Sequence, residues 1–135
     1  MKLPYIIDLK YESVRNDLKR VFRHFCLPSD AQEMICAALA PDGPDVLCKV
    51  EIDHRGVAGA ISYQIYPDRL HIHSLGSLER GAGTRLVAAV VKTARQRHLE
   101  VTVSATKASE GFYARRGFER IRGQKAGSII RMKTK

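Results

Sequence analysis

The sequence predicts an α/β (α+β) domain built on a mixed, mostly antiparallel sheet. Three observations carry this. Residues 46–75 hold three strand-like runs joined by short turns, the first alternating apolar and polar residues with period two, which is the signature of an antiparallel meander. A helix-period segment then separates the third run from a β-branched run at 100–105, and that order calls for a parallel strand pair through a right-handed crossover. Two further helix-period segments precede the meander.

Taken in order, Leu3 to Ile7 is a short apolar run and a first strand. Tyr11, Val14, Leu18, Val21, Phe22 and Phe25 recur at steps of three and four, one face of a helix over about Lys10 to Phe25. Pro28 breaks it. Ser29 and Asp30 then cap a second helix, whose buried face is Ala31, Met34, Ile35, Ala38 and Leu39. Pro41 to Asp45 is a loop. Strands follow at Val46–Asp53, Val57–Tyr66 and Arg69–Leu75. Gly76 to Gly83 is rich in turn residues and opens a helix running to about His98, with Leu86, Val87, Val90, Val91 and Ala94 on its apolar face. Glu100 to Ala105 reads as a buried strand. A short helix spans about Lys107 to Arg116, with Gly117 just past its end. Phe118–Ile121 and Ser128–Met132 form a closing hairpin. The order is β-α-α-β-β-β-α-β-α-β-β, and residues 1–135 read as a single domain.

At 44% hydrophobic and 27% charged residues, the composition excludes fibrous and wholly disordered chains. No apolar run reaches the roughly 18 residues of a membrane helix. The first residues, Met1 to Glu12, have no apolar core ahead of a small-residue cleavage site, so no signal peptide is expected. Cys26, Cys36 and Cys48 are odd in number and widely spaced, which suits reduced thiols in a cytoplasmic protein better than disulfides or zinc. Charge is uneven. Residues 1–67 hold 8 basic and 9 acidic side chains, a net −1, whereas residues 68–135 hold 15 and 5, a net +10. The second half therefore favours an anion, whether nucleic acid, a membrane surface or a phosphorylated small molecule.

Two stretches carry chemistry. In Leu78-Glu79-Arg80-Gly81-Ala82-Gly83-Thr84-Arg85-Leu86, glycines at a strand-to-helix junction allow close backbone approach. The first-turn N–H groups of the following helix lack internal partners and lie at its positive end, which makes a phosphate cradle; a tight turn that needs glycine is the plainer reading. A Walker A loop is absent, and a dinucleotide fingerprint fails for want of a third glycine. The second stretch is Ser109-Glu110-Gly111-Phe112-Tyr113-Ala114-Arg115-Arg116-Gly117-Phe118. Arg-Gly-x-Gly opening a helix, then a strand, then Phe-Tyr-x-x-x-Gly-Phe, together with Val57-Ala58-Gly59-Ala60-Ile61, resembles the GCN5-related N-acetyltransferase (GNAT) family over the full element order.

The resemblance implies a GNAT-like fold with one central parallel strand pair and an acetyl-CoA site between Arg69–Leu75 and Glu100–Ala105. Backbone groups near His73 and Leu75 would pair with the pantetheine arm. Arg80 and the amides of Gly81, Ala82, Gly83, Thr84 and Arg85 would hold the pyrophosphate, and Tyr113 would sit by the thioester sulfur. Arg85 stands where the family has Gly or Ala, Thr106 where Asn is common, Ser109 where Ala is common, and Ser77 where Pro is frequent. Thr106 and Ser109 would adjoin the cofactor.

The chemistry of Tyr113 agrees with that place: a phenol (pKa about 10) can donate to a leaving thiolate (about 8.5). For the base that deprotonates the amine, Glu51, Glu79, His71 and His73 are the candidates, with Glu51 and His73 carried forward. Glu51 and Asp53 fall opposite Val50 and Ile52 and read as a solvated face. His71 and His73 share a strand face, but no third and fourth ligand is evident, so no metal is expected. The function implied is transfer of an acetyl group from acetyl-CoA to an amine, on a protein or a small polyamine. The alternatives are a toxin acetylating aminoacyl-tRNA, or an idle CoA- or nucleic-acid-binding regulator. Nucleic acid contact would use the basic C-terminal half, and no membrane partner is expected.

Overall fold

A computed structural model describes residues 4–10, 46–54, 56–124 and 127–134. These form a seven-stranded sheet: β1 (Tyr5–Lys10), β2 (Leu47–Asp53), β3 (Gly56–Ile65), β4 (Arg69–Ser77), β5 (Glu100–Thr106), β6 (Phe118–Arg120) and β7 (Ile129–Thr134). Helix α1 (Ala82–Gln96) connects β4 to β5, and α2 (Lys107–Ala114) follows β5. The two helices expected between Lys10 and Leu39 lie outside the described residues. Among the described residues no helix is long and apolar enough to cross a membrane.

Strand order is β1-β2-β3-β4-β5-β7-β6. β4 and β5 are parallel, with Arg69↔Glu100 through Ile72↔Val103 in register, and the other neighbours are antiparallel. The mixed sheet and its central parallel pair are as the sequence predicts. Most element boundaries shift by one or two residues, and two of the shifts have a clear cause in strand pairing. β1 runs to Lys10, because its ladder with β2 continues from Tyr5↔Ile52 to Lys10↔Leu47. β4 continues to Ser77, because Ile61, Ala60 and Gly59 remain paired with Leu75, Gly76 and Ser77.

Both described helices pack on one face of the sheet. Leu86, Val87, Val90 and Ala94 of α1 recur at helical spacing and meet Ile61, Tyr63, Leu70, Ile72, Val101 and Val103. Tyr113 of α2 joins the same cluster with Phe118, Ile130 and Met132. Lys49 and Glu51 alternate onto this covered face, and both are buried.

Two β-bulges shape the sheet. At the first, Glu51 opposes Gly59 and Ile52 opposes Val57, leaving Ala58 as the extra residue of β3. The Ala58 carbonyl accepts from the amides of Leu78 (2.7 Å) and Glu79 (3.2 Å), and so ties down the segment leading into α1. At the second, Ser62 opposes Ser74 and Tyr63 opposes Ile72, leaving His73 as the extra residue of β4. A bulge bends its strand. The parallel ladder between β4 and β5 ends at Ile72↔Val103, immediately before His73. Beyond that point β4 pairs with β3 and β5 pairs with β7, so the two central strands part.

Candidate active site

The fork between β4 and β5 leaves the inner edge of β4 from His73 onward without a partner strand among the described residues. An unpaired edge inside a sheet presents N–H and C=O groups in the pattern that an extended, amide-containing ligand can join.

β4 leads from that fork into the start of α1. Gly81 is the N-cap, in the left-handed region at φ 87°, and no side chain caps the helix. The Ala82 amide bonds the Glu79 carbonyl and the Arg85 amide bonds Gly81. The amides of Gly83 and Thr84 lie in the first turn, where no intrahelical carbonyl reaches. This end of the helix therefore offers N–H groups and positive dipole to an anion. Gly59 permits the close packing beneath it: a Cβ there would lie 2.8 Å from the Gly76 carbonyl and 3.3 Å from the Ala82 methyl.

α2 approaches the same turn. A Cβ on Gly83 would lie 3.5 Å from Phe112 Cζ and 3.6 Å from Leu75 Cδ2, so the helix start, β4 and α2 meet at this glycine. Tyr113 stands edge-on between Phe112 (5.1 Å between centroids) and Phe118 (5.4 Å). Burial pushes its phenol up to about 12. The group therefore keeps its proton throughout the physiological range and serves as a hydrogen-bond donor.

Arg116 is a residue the sequence reading passed over. Its guanidinium lies 4.7 Å over the Phe112 ring and donates from Nε (3.1 Å) and Nη2 (2.7 Å) to Thr84 Oγ1. It brings a cation from the end of α2 onto the first turn of α1. Arg80 is exposed beside that turn. Thr106 and Ser109 instead serve α2 itself: Thr106 Oγ1 accepts from the Ser109 amide and Ser109 Oγ from the Thr106 amide, a reciprocal capping box.

Arg85 is accommodated beside the turn without leaving it for solvent alone, being about half exposed. It folds back over Gly81 and forks onto Glu51, with Nε–Oε1 at 2.6 Å and Nη2–Oε2 at 2.9 Å. The Glu51 side chain is 1% exposed and that of Arg85 46%. The expectation of a solvated Glu51 is thus corrected: α1 covers its face of the sheet. The carboxylate holds the Arg85 guanidinium above its usual pKa, chiefly by hydrogen bonding. Both carboxylate oxygens are engaged, which leaves Glu51 poorly placed to take a proton from a substrate.

Glu79 lies in the segment leading into α1, and the two histidine candidates lie on the opposite face of the sheet. His71 Nδ1 is 2.7 Å from Thr102 Oγ1, and His73 Nε2 donates to Gln64 Oε1 at 3.3 Å. The two rings meet edge to face at 5.3 Å. Burial, then the neighbouring His73 and Arg69, hold His71 below its usual pKa, so it is neutral at pH 7. Among the described residues no group of three metal-ligating side chains converges.

These features agree with the comparisons. A family model described as acetyltransferase (GNAT) domain matches residues 6–133. No curated protein sequence matches the chain. The Escherichia coli ElaA structure superposes with a TM-score of 0.68 at 15% identity, covering 98% of this chain and 100% of that one. The PaiA N-acetyltransferase of Thermoplasma acidophilum, solved with coenzyme A, gives 0.67 at 15% identity over 99% of both chains. Tetrahymena GCN5 gives 0.59 at 17% identity over 91% and 86%. At these identities the structural likeness speaks for the fold, while the family match spans nearly the whole chain. Acetyl-CoA is the cofactor typical of that family, and the chain belongs to it: it carries an acetyltransferase (GNAT) domain.

Proposed function

We propose that this chain, read as one catalytic domain, is an acetyl-CoA-dependent N-acetyltransferase. The observation that carries the reading is the parting of β4 and β5 after Ile72 and Val103, directly ahead of the glycine-opened start of α1. The residues present fit the cofactor. The free edge of β4 near His73 and Leu75 suits the amides of a pantetheine arm. The amides of Gly83 and Thr84 suit a pyrophosphate, with Arg80 and Arg116 adding positive charge. Bound there, acetyl-CoA would supply an activated acyl group.

The chain's own groups would do the rest. With Nδ1 of His71 engaged by Thr102 at 2.7 Å, Nε2 would be the proton acceptor for the amine, and His73 adjoins it. In the acyl transfer that acetyl-CoA would supply, the histidine would take the proton lost by the attacking amine, and the Tyr113 hydroxyl would donate a hydrogen bond to the departing thiolate sulfur. With a phenol pKa of about 12, Tyr113 acts by that hydrogen bond, and the proton stays largely on oxygen.

A second reading, a CoA-binding protein without turnover, draws on the withdrawal of Glu51 into its fork with Arg85. Titration calorimetry with CoA, followed by turnover against an amine panel, separates the two. Tyr113→Phe keeps the ring and its packing. It should leave the Kd for acetyl-CoA and the Tm unchanged and lower kcat by about 10²-fold. Unchanged kcat on an accepted amine would remove Tyr113 from the mechanism, and tight CoA binding with no turnover would favour the second reading.

A further inference from the structure

The sheet face opposite α1 and α2 has a chemistry of its own at the fork. Residues in register there are Gln64, His71 and Thr102 on one row and Ser104 and Arg131 beyond the fork. Ser104 and Arg131 are exposed and line a cavity of about 500 Å³ together with Ile129, Gly123 and Gln124. Gln124 is occupied: it donates to the carbonyls of Ile121 and Arg131 and accepts from the Arg131 amide, each at 2.8 Å. It fixes the backbone of Arg131. The polar groups left to face a ligand are the Ser104 hydroxyl and the Arg131 guanidinium, which has no acidic partner among the described residues.

Two other cations on this face have acids in register beside them, and Arg69 also pairs with Asp68. Lys133 lies opposite Glu119, and Arg69 opposite Glu100. Among the described residues, Asp8 pairs with Lys49, Glu51 with Arg85 and Glu110 with Arg120, all away from this face. From His71 to Arg131 is two strand spacings across and two residues along, about 12 Å between Cα atoms. Two long side chains converging over that distance leave room for a molecule a few bonds long.

We propose that the acceptor is a small amine that also carries an anionic group, a carboxylate or a phosphate. Arg131 and Ser104 hold the anion in the cavity beside the fork, while His71 and His73 face the amine. This rests on the N-acetyltransferase reading and gives its acceptor a chemical class. The anion fixes one end of the substrate, and the lone pair of the amine is then presented at the fork. It also accounts for a positive charge on the acceptor side, which a cationic polyamine would oppose.

The experiment compares acceptors that differ only in the anion. Amino acids are set against their amides, O-phosphoethanolamine against ethanolamine, and spermidine and aminoacyl-tRNA complete the panel. Thiol release is followed with wild type and Arg131→Gln, after titration of both with acetyl-CoA. The expected result is at least a tenfold preference in kcat/KM for the anionic member of one pair. Arg131→Gln should erase it through KM, leaving kcat and the acetyl-CoA Kd unchanged. The pair that shows the preference identifies carboxylate or phosphate. Equal use of acid and amide, a preference that survives in Arg131→Gln, or turnover confined to spermidine or aminoacyl-tRNA would overturn the acceptor class and leave the transferase reading standing. Failure of wild type to bind acetyl-CoA would overturn both.

Discussion

Removing Arg85 and removing Glu51 should have unequal costs, and the inequality follows from where each charge lies. Arg85→Ala leaves a carboxylate that is 1% exposed without its guanidinium. Breaking a buried pair from one side costs about 3–5 kcal/mol. Arg85 is itself 46% exposed, so water can enter the vacated space and solvate Glu51, which lowers the cost to about 2–3 kcal/mol. Glu51→Gln leaves a guanidinium that already reaches solvent and keeps one neutral acceptor, so it should cost about 1 kcal/mol. Once Gln stands at 51, Arg85→Ala strands no charge and should cost about 1 kcal/mol or less. For 135 residues the unfolding entropy is about 0.28 kcal/mol per degree, so the single changes should lower Tm by about 7–10 °C and 4 °C respectively. The double mutant should lie well above the sum of the losses, with a coupling of about 1–2 kcal/mol. Calorimetry of the four proteins measures all of this. If Arg85→Ala cost the same in both backgrounds, the fork would be a surface contact with no part in holding α1 to β2.

Gly81→Ala should destabilise by about 1–2 kcal/mol, since φ 87° is strained for alanine and its Cβ would come within 2.9 Å of Arg85 Nη1. Gly83→Ala should leave Tm level or raise it, because its Cβ would make ordinary contacts and alanine is better in a helix by about 0.8–1 kcal/mol; a loss of Tm would contradict the geometry at Phe112 and Leu75. His71 must be neutral to accept a proton, and its pKa lies below the usual 6.5. kcat/KM should therefore fall as pH drops through a midpoint below 6.5, and a profile in which His71→Gln keeps that acid limb would exclude His71 as the base. Burial raises the Cys48 thiol to about 12, so about one part in 10⁴ is thiolate at pH 8 and peptide mapping should find it unalkylated until the protein unfolds.

The meander, the crossover helix α1 and the short helix α2 could be read from local sequence because period and turn chemistry are local. The two bulges could not. A bulge displaces alternation by one residue, and at Ala58 the surrounding run Val57-Ala58-Gly59-Ala60-Ile61 is apolar or small throughout, so no change of phase is visible. At His73 the run His71-Ile72-His73 continues to alternate normally. The register shift is imposed by pairing with β3, a partner the strand's own pattern does not contain. The role of Thr106 and Ser109 was legible, since Thr-x-x-Ser before a short helix is a capping signature. Arg116 lay within the recognised motif, but its contact with Thr84 joins residues 32 apart.

Glu51 shows why alternation alone misplaces a charge. A strand facing water on one side puts its polar residues there, and Val50 and Ile52 opposite Glu51 fit that pattern. β2 is covered on the Glu51 face by α1, so both of its faces are interior and the polar position needs a partner. Arg85 is that partner, and it occupies the position where the family pattern has a small residue. A small residue leaves the start of the helix open without assistance. An arginine does so only if its side chain is drawn aside, and Glu51 draws it across Gly81 toward β2. Gly81 is required by its φ of 87°, whereas Arg85 Nη1, 2.9 Å from where a Cβ would stand, is the end of a flexible side chain and can shift aside. Arg85 is thereby coupled to Glu51 across Gly81, and replacing Arg85 with glycine or alanine restores a compact turn only if the buried charge at 51 is removed with it.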